Sequence, residues 1–271
     1  MTPDYLFGLS GKTVLVTGGA TGIGRMAATG LVAAGATVFI ASRKLENCQA
    51  AADDINAMGL SGRAHAFSGD VATQEGIERL VDDLKARTDQ LHILMNNAGR
   101  TWGAPLGQFP YDAWEKVMSL NVTGMFQLTQ SLLGLLENSS TLDDPARVVN
   151  VGSVMGEIPM GDGAYSYAMS KSAVHQMTRI LAKELADRHI TVNALAPGPF
   201  QSGMTAFAIG QDTGADRVGK RVPAGRVGRP EDIAACLQFL CGRGGSYITG
   251  AVIPVSGGIN VATGPSIFGE D

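Results

Sequence analysis

Tyr167 and Lys171 stand one helical turn apart in the run Tyr165-Ser166-Tyr167-Ala168-Met169-Ser170-Lys171. On a helix, residues i and i+4 share a face and their side chains reach each other. A free phenol titrates near ~10 and is a poor proton donor or acceptor at neutral pH. A fixed ammonium beside it favours the anion and draws the phenol toward a useful acid/base range. Most isolated Tyr-x-x-x-Lys pairs are exposed helix faces. The other motifs of this chain give the pair its chemistry.

Such a helix needs elements that bring a cofactor and a substrate to it. Lys12-Thr13-Val14-Leu15-Val16-Thr17 is an apolar, β-branched run that predicts a buried strand. It ends in Gly18-Gly19-Ala20-Thr21-Gly22-Ile23-Gly24, and a helix-compatible stretch follows to about Ala34. Strand, glycine turn and helix N-terminus in that order form a receptor for a pyrophosphate. Glycines let the backbone approach, and the unpaired N–H groups of the first helical turn face the anion. A second strand, Thr37-Val38-Phe39-Ile40-Ala41, leads into Ser42-Arg43-Lys44. In dinucleotide folds an acid at this strand end binds the ribose 2′-OH and marks NAD use. Here a hydroxyl and two cations stand instead, which suits an anionic 2′-phosphate at Ser42 and Arg43. NADP(H) is expected in preference to NAD(H).

Further strands are expected at 64–67, before Asp70-Val71, and at 91–95, before Asn96-Asn97-Ala98-Gly99. Another, Arg147-Val148-Val149-Asn150-Val151-Gly152-Ser153, delivers Ser153 at its carboxyl end, the ligand-binding rim of an open parallel sheet. Asn121, followed by Val, Thr and Gly, sits inside a helical stretch expected over 111–136, where its propensity is poor.

The glycine spacing, the Asn-Asn-Ala-Gly run and the Ser/Tyr/Lys set, in this order, resemble the short-chain dehydrogenase/reductase family in its small form. The resemblance spans about 11–258. It implies a doubly wound α/β Rossmann fold with a single seven-stranded parallel sheet. It implies a catalytic set of Asn121, Ser153, Tyr167 and Lys171. Ser153 holds the substrate carbonyl, Tyr167 exchanges the proton, and Lys171 binds the nicotinamide ribose and lowers the phenol's pKa. Asn121 marks a helix distortion and holds a water linked to the lysine. Gly18, Thr21, Gly22, Ile23 and Gly24 then cradle the dinucleotide phosphates. Asp70 and Val71 meet the adenine, and Asn97, Ala98 and Gly99 pass the adenosine ribose, with Asn97 steadying the sheet. After the strand at 190–196, Pro197, Gly198, Phe200 and Ser202 clasp the nicotinamide carboxamide; the family more often has Thr where Ser202 stands. All four catalytic positions being filled argues against an inactive, cofactor-sensing relative.

No linker interrupts the 271 residues, and strand/helix alternation predicts a single domain over 1–271. The formal charge of −4 gives no support to nucleic-acid or anionic-membrane partners. The start of the chain lacks a basic region followed by an apolar core, and no apolar run reaches membrane length, so a cytoplasmic enzyme is expected. Cys48, Cys236 and Cys241 form no disulfide framework, and none pairs with His65, His92, His175 or His189 at ligand spacing. No metal is expected.

The polar stretch 137–146 is expected to be an exposed loop without chemistry. Residues 203–228 form the expected substrate lid, where Met204, Phe207, Ala208 and Ile209 share an apolar helical face. That face either covers an acyl chain or packs on the core. The segment 246–258 resembles the family's closing strand, and with the long helices from Tyr111 and Ala164 it implies a homotetramer, a dimer being the second choice.

Trp102-Gly103-Ala104-Pro105-Leu106, Trp114-Glu115-Lys116-Val117-Met118 and Val149-Asn150-Val151-Gly152-Ser153 are similar to 3-oxoacyl reductases of the rhamnolipid-biosynthesis and fatty-acid-synthesis type. The substrate class implied is a 3-oxoacyl thioester of acyl carrier protein or coenzyme A. Arg100, Arg217, Lys220, Arg221, Arg226 and Arg229 are candidates to dock the carrier. The alternatives are an alcohol, sugar or steroid dehydrogenase of the same family and a non-catalytic NADP-sensing protein.

Overall fold

Apolar runs buried on both faces form the strands of this chain, as parallel sheets covered by helices require. The strands are β1 (Thr13–Thr17), β2 (Thr37–Ser42), β3 (Arg63–Ser68), β4 (Ile93–Asn96), β5 (Ala146–Val151), β6 (Ile190–Pro197) and β7 (Val252–Val255). All seven pair in parallel in the order β3-β2-β1-β4-β5-β6-β7. This is the expected doubly wound architecture. The computed structural model describes residues 1–160, 163–210 and 214–261, apart from the side chains of Phe207 and Ala208.

The helices are α1 (Pro3–Phe7), α2 (Gly22–Ala33), α3 (Leu45–Ala57), α4 (Gln74–Lys85), α5 (Tyr111–Met118), α6 (Met125–Ser131), α7 (Leu133–Ser139), α8 (Tyr165–Glu184), α9 (Ala206–Ile209), α10 (Gly214–Gly219) and α11 (Pro230–Cys241). Alternation along each strand divides the core between the two faces. Val14 and Val16 join Leu31 of α2, Ile55 of α3 and Leu237 of α11 on one side. Leu15 joins Leu80 of α4, Leu128 of α6 and Leu181 of α8 on the other. Helix α4 shows how local sequence fixes an element. Thr73 caps it by accepting the Gly76 N–H at 3.1 Å, and Ile77, Leu80, Val81 and Leu84 form its buried stripe.

The chain reverses direction across the sheet between β1 and β4, so the loops after β1, β2, β4, β5 and β6 gather on one carboxyl rim. The helical stretch expected over 111–136 holds a π turn, Ser119–Gly124, between α5 and α6, at the distortion the resemblance implies for Asn121. Two local expectations change. Strand β5 ends at Val151, and Ser153 instead caps the short 3₁₀ turn Val154–Gly156.

The polar stretch 137–146 is only partly a loop, because α7 runs to Ser139. Its Asp144 is no solvated acid. It pairs with Lys12 and with Arg147, which is 1 % exposed, while Arg243 lies 3.9 Å away. Burial pushes the Asp144 carboxyl up, and the bonds from Lys12 and Arg147 more than reverse this, leaving it below the usual range. The cysteines are unpaired; burial pushes the Cys241 thiol up to about 12 and Cys236 to about 11, so both are held as inert thiols.

Candidate active site

The turn after β1 takes its shape from glycines in left-handed conformation, Gly18 at φ 63° and Gly22 at φ 53°. It is tied to the end of β4 by Asn97, whose Nδ2 donates to the carbonyls of Thr17 at 2.9 Å and Gly18 at 3.1 Å. Thr17 Oγ1 accepts the N–H groups of Asn97 and Ala98, both at 3.0 Å. A Cβ at Gly24 would stand 2.3 Å from the Gly18 carbonyl, so Gly24 serves by close packing rather than by facing a ligand. Thr21 makes no side-chain cap on α2, which leaves the first-turn N–H groups directed into the cleft.

A cavity of about 530 Å³ opens above this turn. Its walls include Gly18, Thr21, Gly22, Ile23, Asn97, Ala98, Gly99, Ser153, Tyr167, Lys171, Pro197, Gly198, Phe200 and Ser202, so residues from four strand ends and from α8 that were expected to act together do meet. A second hollow of about 200 Å³ adjoins it, lined by Ser42, Arg43, Asp70, Val71, Ala98, Gly99 and Arg100. Arg43 is exposed and, among the described residues, has no carboxylate partner. Ser42 Oγ contacts Cys48 Sγ at 3.0 Å, and Asp70 Oδ1 accepts the Ala72 N–H at 3.0 Å. The two hollows together leave room for an extended dinucleotide, with the glycine turn bordering both and Arg43 lining the smaller.

Ser153, Tyr167 and Lys171 face one another at the inner end. Ser153 is 6 % exposed, and its Oγ accepts the Met155 N–H at 3.2 Å, leaving its proton free to donate. Burial raises the Tyr167 phenol above its ordinary 10, and the hydrogen bond of Ser153 pulls it partly back. Lys171, 4 % exposed, donates to the Val151 carbonyl at 2.6 Å and stands 5.6 Å from the Tyr167 ring centroid. Burial lowers the lysine to about 8. The expectation that Lys171 draws the phenol below its ordinary value is therefore corrected. Desolvation dominates the phenol's environment, and the group that lowers it is the Ser153 hydroxyl.

Asn121 does not line the cavity; it is fully buried in the π turn behind Lys171. Its Oδ1 accepts the Arg100 N–H at 2.9 Å, and its Nδ2 donates to the Arg100 carbonyl and to Ser170 Oγ, each at 2.9 Å. Both amide donors are thus committed to protein. The wide turn, a frequent companion of functional sites, positions Asn121 to hold the strand-β4 loop against α8.

Phe200 is 2 % exposed, with its ring turned onto Gly228 at the far end of the lid. Ser202 lies above Gly22 and opens a short turn in which its N–H donates to Thr205 Oγ1 at 3.0 Å. Of the expected apolar lid face, Ile209 is buried in the protein and Met204 is exposed at the cavity wall. The side chains of Phe207 and Ala208, and residues 211–213 of the lid, lie outside the described residues. Arg226 is held by Asp232 through two bonds of 2.6 and 2.9 Å, which removes it from the candidate basic surface. Thr205 and Ser170 carry bonds that the sequence reading passed over. The Ser-x-x-Thr spacing of a helix cap was the available signal for Thr205; Ser170 had none.

A family model described as enoyl-(acyl carrier protein) reductase matches residues 18–260. The chain is 46% identical over 255 residues to a rhamnolipids biosynthesis 3-oxoacyl-[acyl-carrier-protein] reductase of Pseudomonas aeruginosa, covering 94% of this chain and 98% of the relative. It is 36% identical over 252 residues to the 3-oxoacyl-[acyl-carrier-protein] reductase FabG of Aquifex aeolicus, covering 93% and 98%. The structure of the Pseudomonas aeruginosa RhlG/NADP active-site complex superposes with a TM-score of 0.90 at 46% identity, covering 96% of this chain and all of that one. Motif order, strand order, rim geometry and these matches agree: the chain belongs to the short-chain dehydrogenase/reductase family.

Proposed function

We propose that this chain is an NADPH-dependent reductase of 3-oxoacyl thioesters, acting as one catalytic domain. The observation that carries the reading is the meeting of Ser153, Tyr167 and Lys171 at the inner end of the cavity, with Arg43, which has no carboxylate partner among the described residues, lining the adjoining hollow. Bound NADPH would supply the hydride to the carbonyl carbon. The protein does the rest. Gly18, Thr21, Gly22 and Ile23 receive the phosphates, and Ser42 and Arg43 the 2′-phosphate. Asp70, Val71, Asn97, Ala98 and Gly99 line the adenosine, and Pro197, Gly198, Phe200 and Ser202 orient the reactive ring.

Ser153 donates its hydroxyl proton toward the substrate carbonyl oxygen and polarises it. Tyr167 delivers the proton to that oxygen as it gains charge. A phenol held above 10 stays protonated at neutral pH, which is the state a reducing direction requires. Lys171, anchored on Val151, presents its remaining N–H donors beside the phenol and the cofactor ribose. Asn121 positions the surrounding loop.

The 3-oxoacyl assignment rests on the activities of the relatives and on the exposed apolar side chain of Met204 at the cavity wall. Lys220, Arg221 and Arg229 remain as exposed cations near the lid for an acidic carrier protein. Exposed Tyr111, Trp114, Met169 and Ile180 on α5 and α8 support a homotetramer. Among the described residues no helix is long and apolar enough to cross a membrane; a cytoplasmic site of action follows from the proposed cofactor and substrate. The test is a panel of acyl thioesters, sugar acids and simple alcohols with both nicotinamide cofactors. Turnover of acetoacetyl and longer 3-oxoacyl thioesters with NADPH supports the reading. Turnover of a sugar or alcohol alone replaces it with the alternative dehydrogenase, and no turnover with tight NADPH binding replaces it with a sensor.

A further inference from the structure

The face of α8 that carries Tyr167 and Lys171 continues one turn further to His175, a buried ionisable side chain without a part in the mechanism above. His175 is 3 % exposed, and its Nε2 accepts the backbone N–H of Ser153 at 3.4 Å. Ser153 lies beyond the end of β5, so that N–H has no strand partner, and a buried N–H without an acceptor is costly. A ring nitrogen that accepts carries no proton, which places the proton of the neutral imidazole on Nδ1, 4.0 Å from Glu157 Oε1. Lys171 and Arg179 face the ring from α8, Glu157 from the 3₁₀ side. Burial, with the two cations, holds the ring near 4 and therefore neutral in ordinary working conditions.

The ring also fills the space beside the serine. A Cβ at Gly152 would stand 2.1 Å from Nε2, and one at Gly156 would stand 2.8 Å from Cε1. The backbone before Ser153 is thus pressed against the imidazole, while Met155 fixes the hydroxyl from the other side. We propose that His175 is a positioning residue for the reaction, its unprotonated Nε2 holding the Ser153 backbone so that the serine hydroxyl meets Tyr167 and the substrate carbonyl. It touches neither substrate nor cofactor. The kinetic part of this inference rests on the reductase reading; the tautomer does not.

Nitrogen NMR of the full chain with labelled histidine tests the tautomer, His175 being assigned by its loss from His175→Gln. A neutral ring protonated on Nδ1 is expected; a proton on Nε2 overturns the proposal. In turnover, His175→Leu should lower kcat about tenfold to a hundredfold, as expected for a small misplacement of a reacting group, with the KM for NADPH unchanged. His175→Gln, whose side-chain oxygen reaches the Nε2 position, should restore most of the loss. Unchanged kcat in the leucine variant, or a glutamine variant as impaired as leucine, overturns it. Should His175→Leu fail to fold, near-native kcat in His175→Gln together with the Nδ1–H tautomer upholds the proposal, and a large kcat loss there overturns it. If the wild-type protein reduces no carbonyl, the reductase reading fails, and the tautomer alone decides whether His175 holds Ser153.

Discussion

The ammonium of Lys171 donates to the carbonyl of Val151 at 2.6 Å. That bond pins α8, which carries Tyr167, to the end of β5, from which the chain runs to Ser153. Tyr167 and Ser153, the proposed proton donor and carbonyl ligand, are therefore set against each other by a buried cross-link between helix and strand.

The same burial gives Lys171 a titration near 8, well below its ordinary 10.5, while the Tyr167 phenol lies above 10. Lys171 is charged below pH 8 and neutral above it. In the reducing direction kcat/KM should decline as pH rises through about 8, with the limb belonging to the lysine. A limb that begins only above pH 10 would point to Tyr167 instead and contradict this assignment.

Arg43 lines the smaller hollow, proposed to hold the adenosine, with no carboxylate partner among the described residues. Replacing it by alanine removes a charge-assisted contact worth about 1.5–3 kcal/mol, a loss of roughly tenfold to a hundredfold in NADPH affinity. NADH binding should change little. Equal losses for both cofactors, measured by titration, would remove the NADP assignment.

Asp144 balances Lys12 and the buried Arg147. Asp144→Ala strands the guanidinium, which keeps its bond to the Gly242 carbonyl at 2.9 Å but loses its counter-charge. Chemical unfolding should show a loss of about 3 kcal/mol, typical of breaking one half of a buried pair. A loss near zero would mean the cluster is solvated.

How much of this was legible in the sequence depends on distance along the chain. The glycine turn and the Tyr-x-x-x-Lys pair are local patterns, and both lie where the reading put them. Asp144 was misread because its partner Lys12 stands 132 residues away, and no local pattern reports such a contact. Asn121 drew attention by poor propensity and by the helix distortion the resemblance implies there, but its bonds to Arg100 and Ser170, 21 and 49 residues away, were beyond any local pattern. The phenol's pKa was misjudged for the same reason: spacing reveals a neighbouring charge but not the desolvation that outweighs it.

Two histidines, one half-buried and one buried, set an acid limit. His92, whose Nδ1 accepts the Thr13 N–H at 3.0 Å, and His175 both titrate near 4 in the folded chain against an ordinary 6.5. Unfolded chains take up these protons first as pH falls, so stability present above 6.5 declines toward pH 4. Urea midpoints measured across this window should drop steadily; a flat series would show that the rings are accessible to protonation in the fold.

The role of Tyr167 is tested most directly by Tyr167→Phe, which deletes one oxygen from the cavity wall and keeps the ring. Turnover of a 3-oxoacyl thioester should fall by about 10²–10⁴, the usual contribution of a general acid, while NADPH binding stays close to wild type. Retained turnover in that variant would contradict the account.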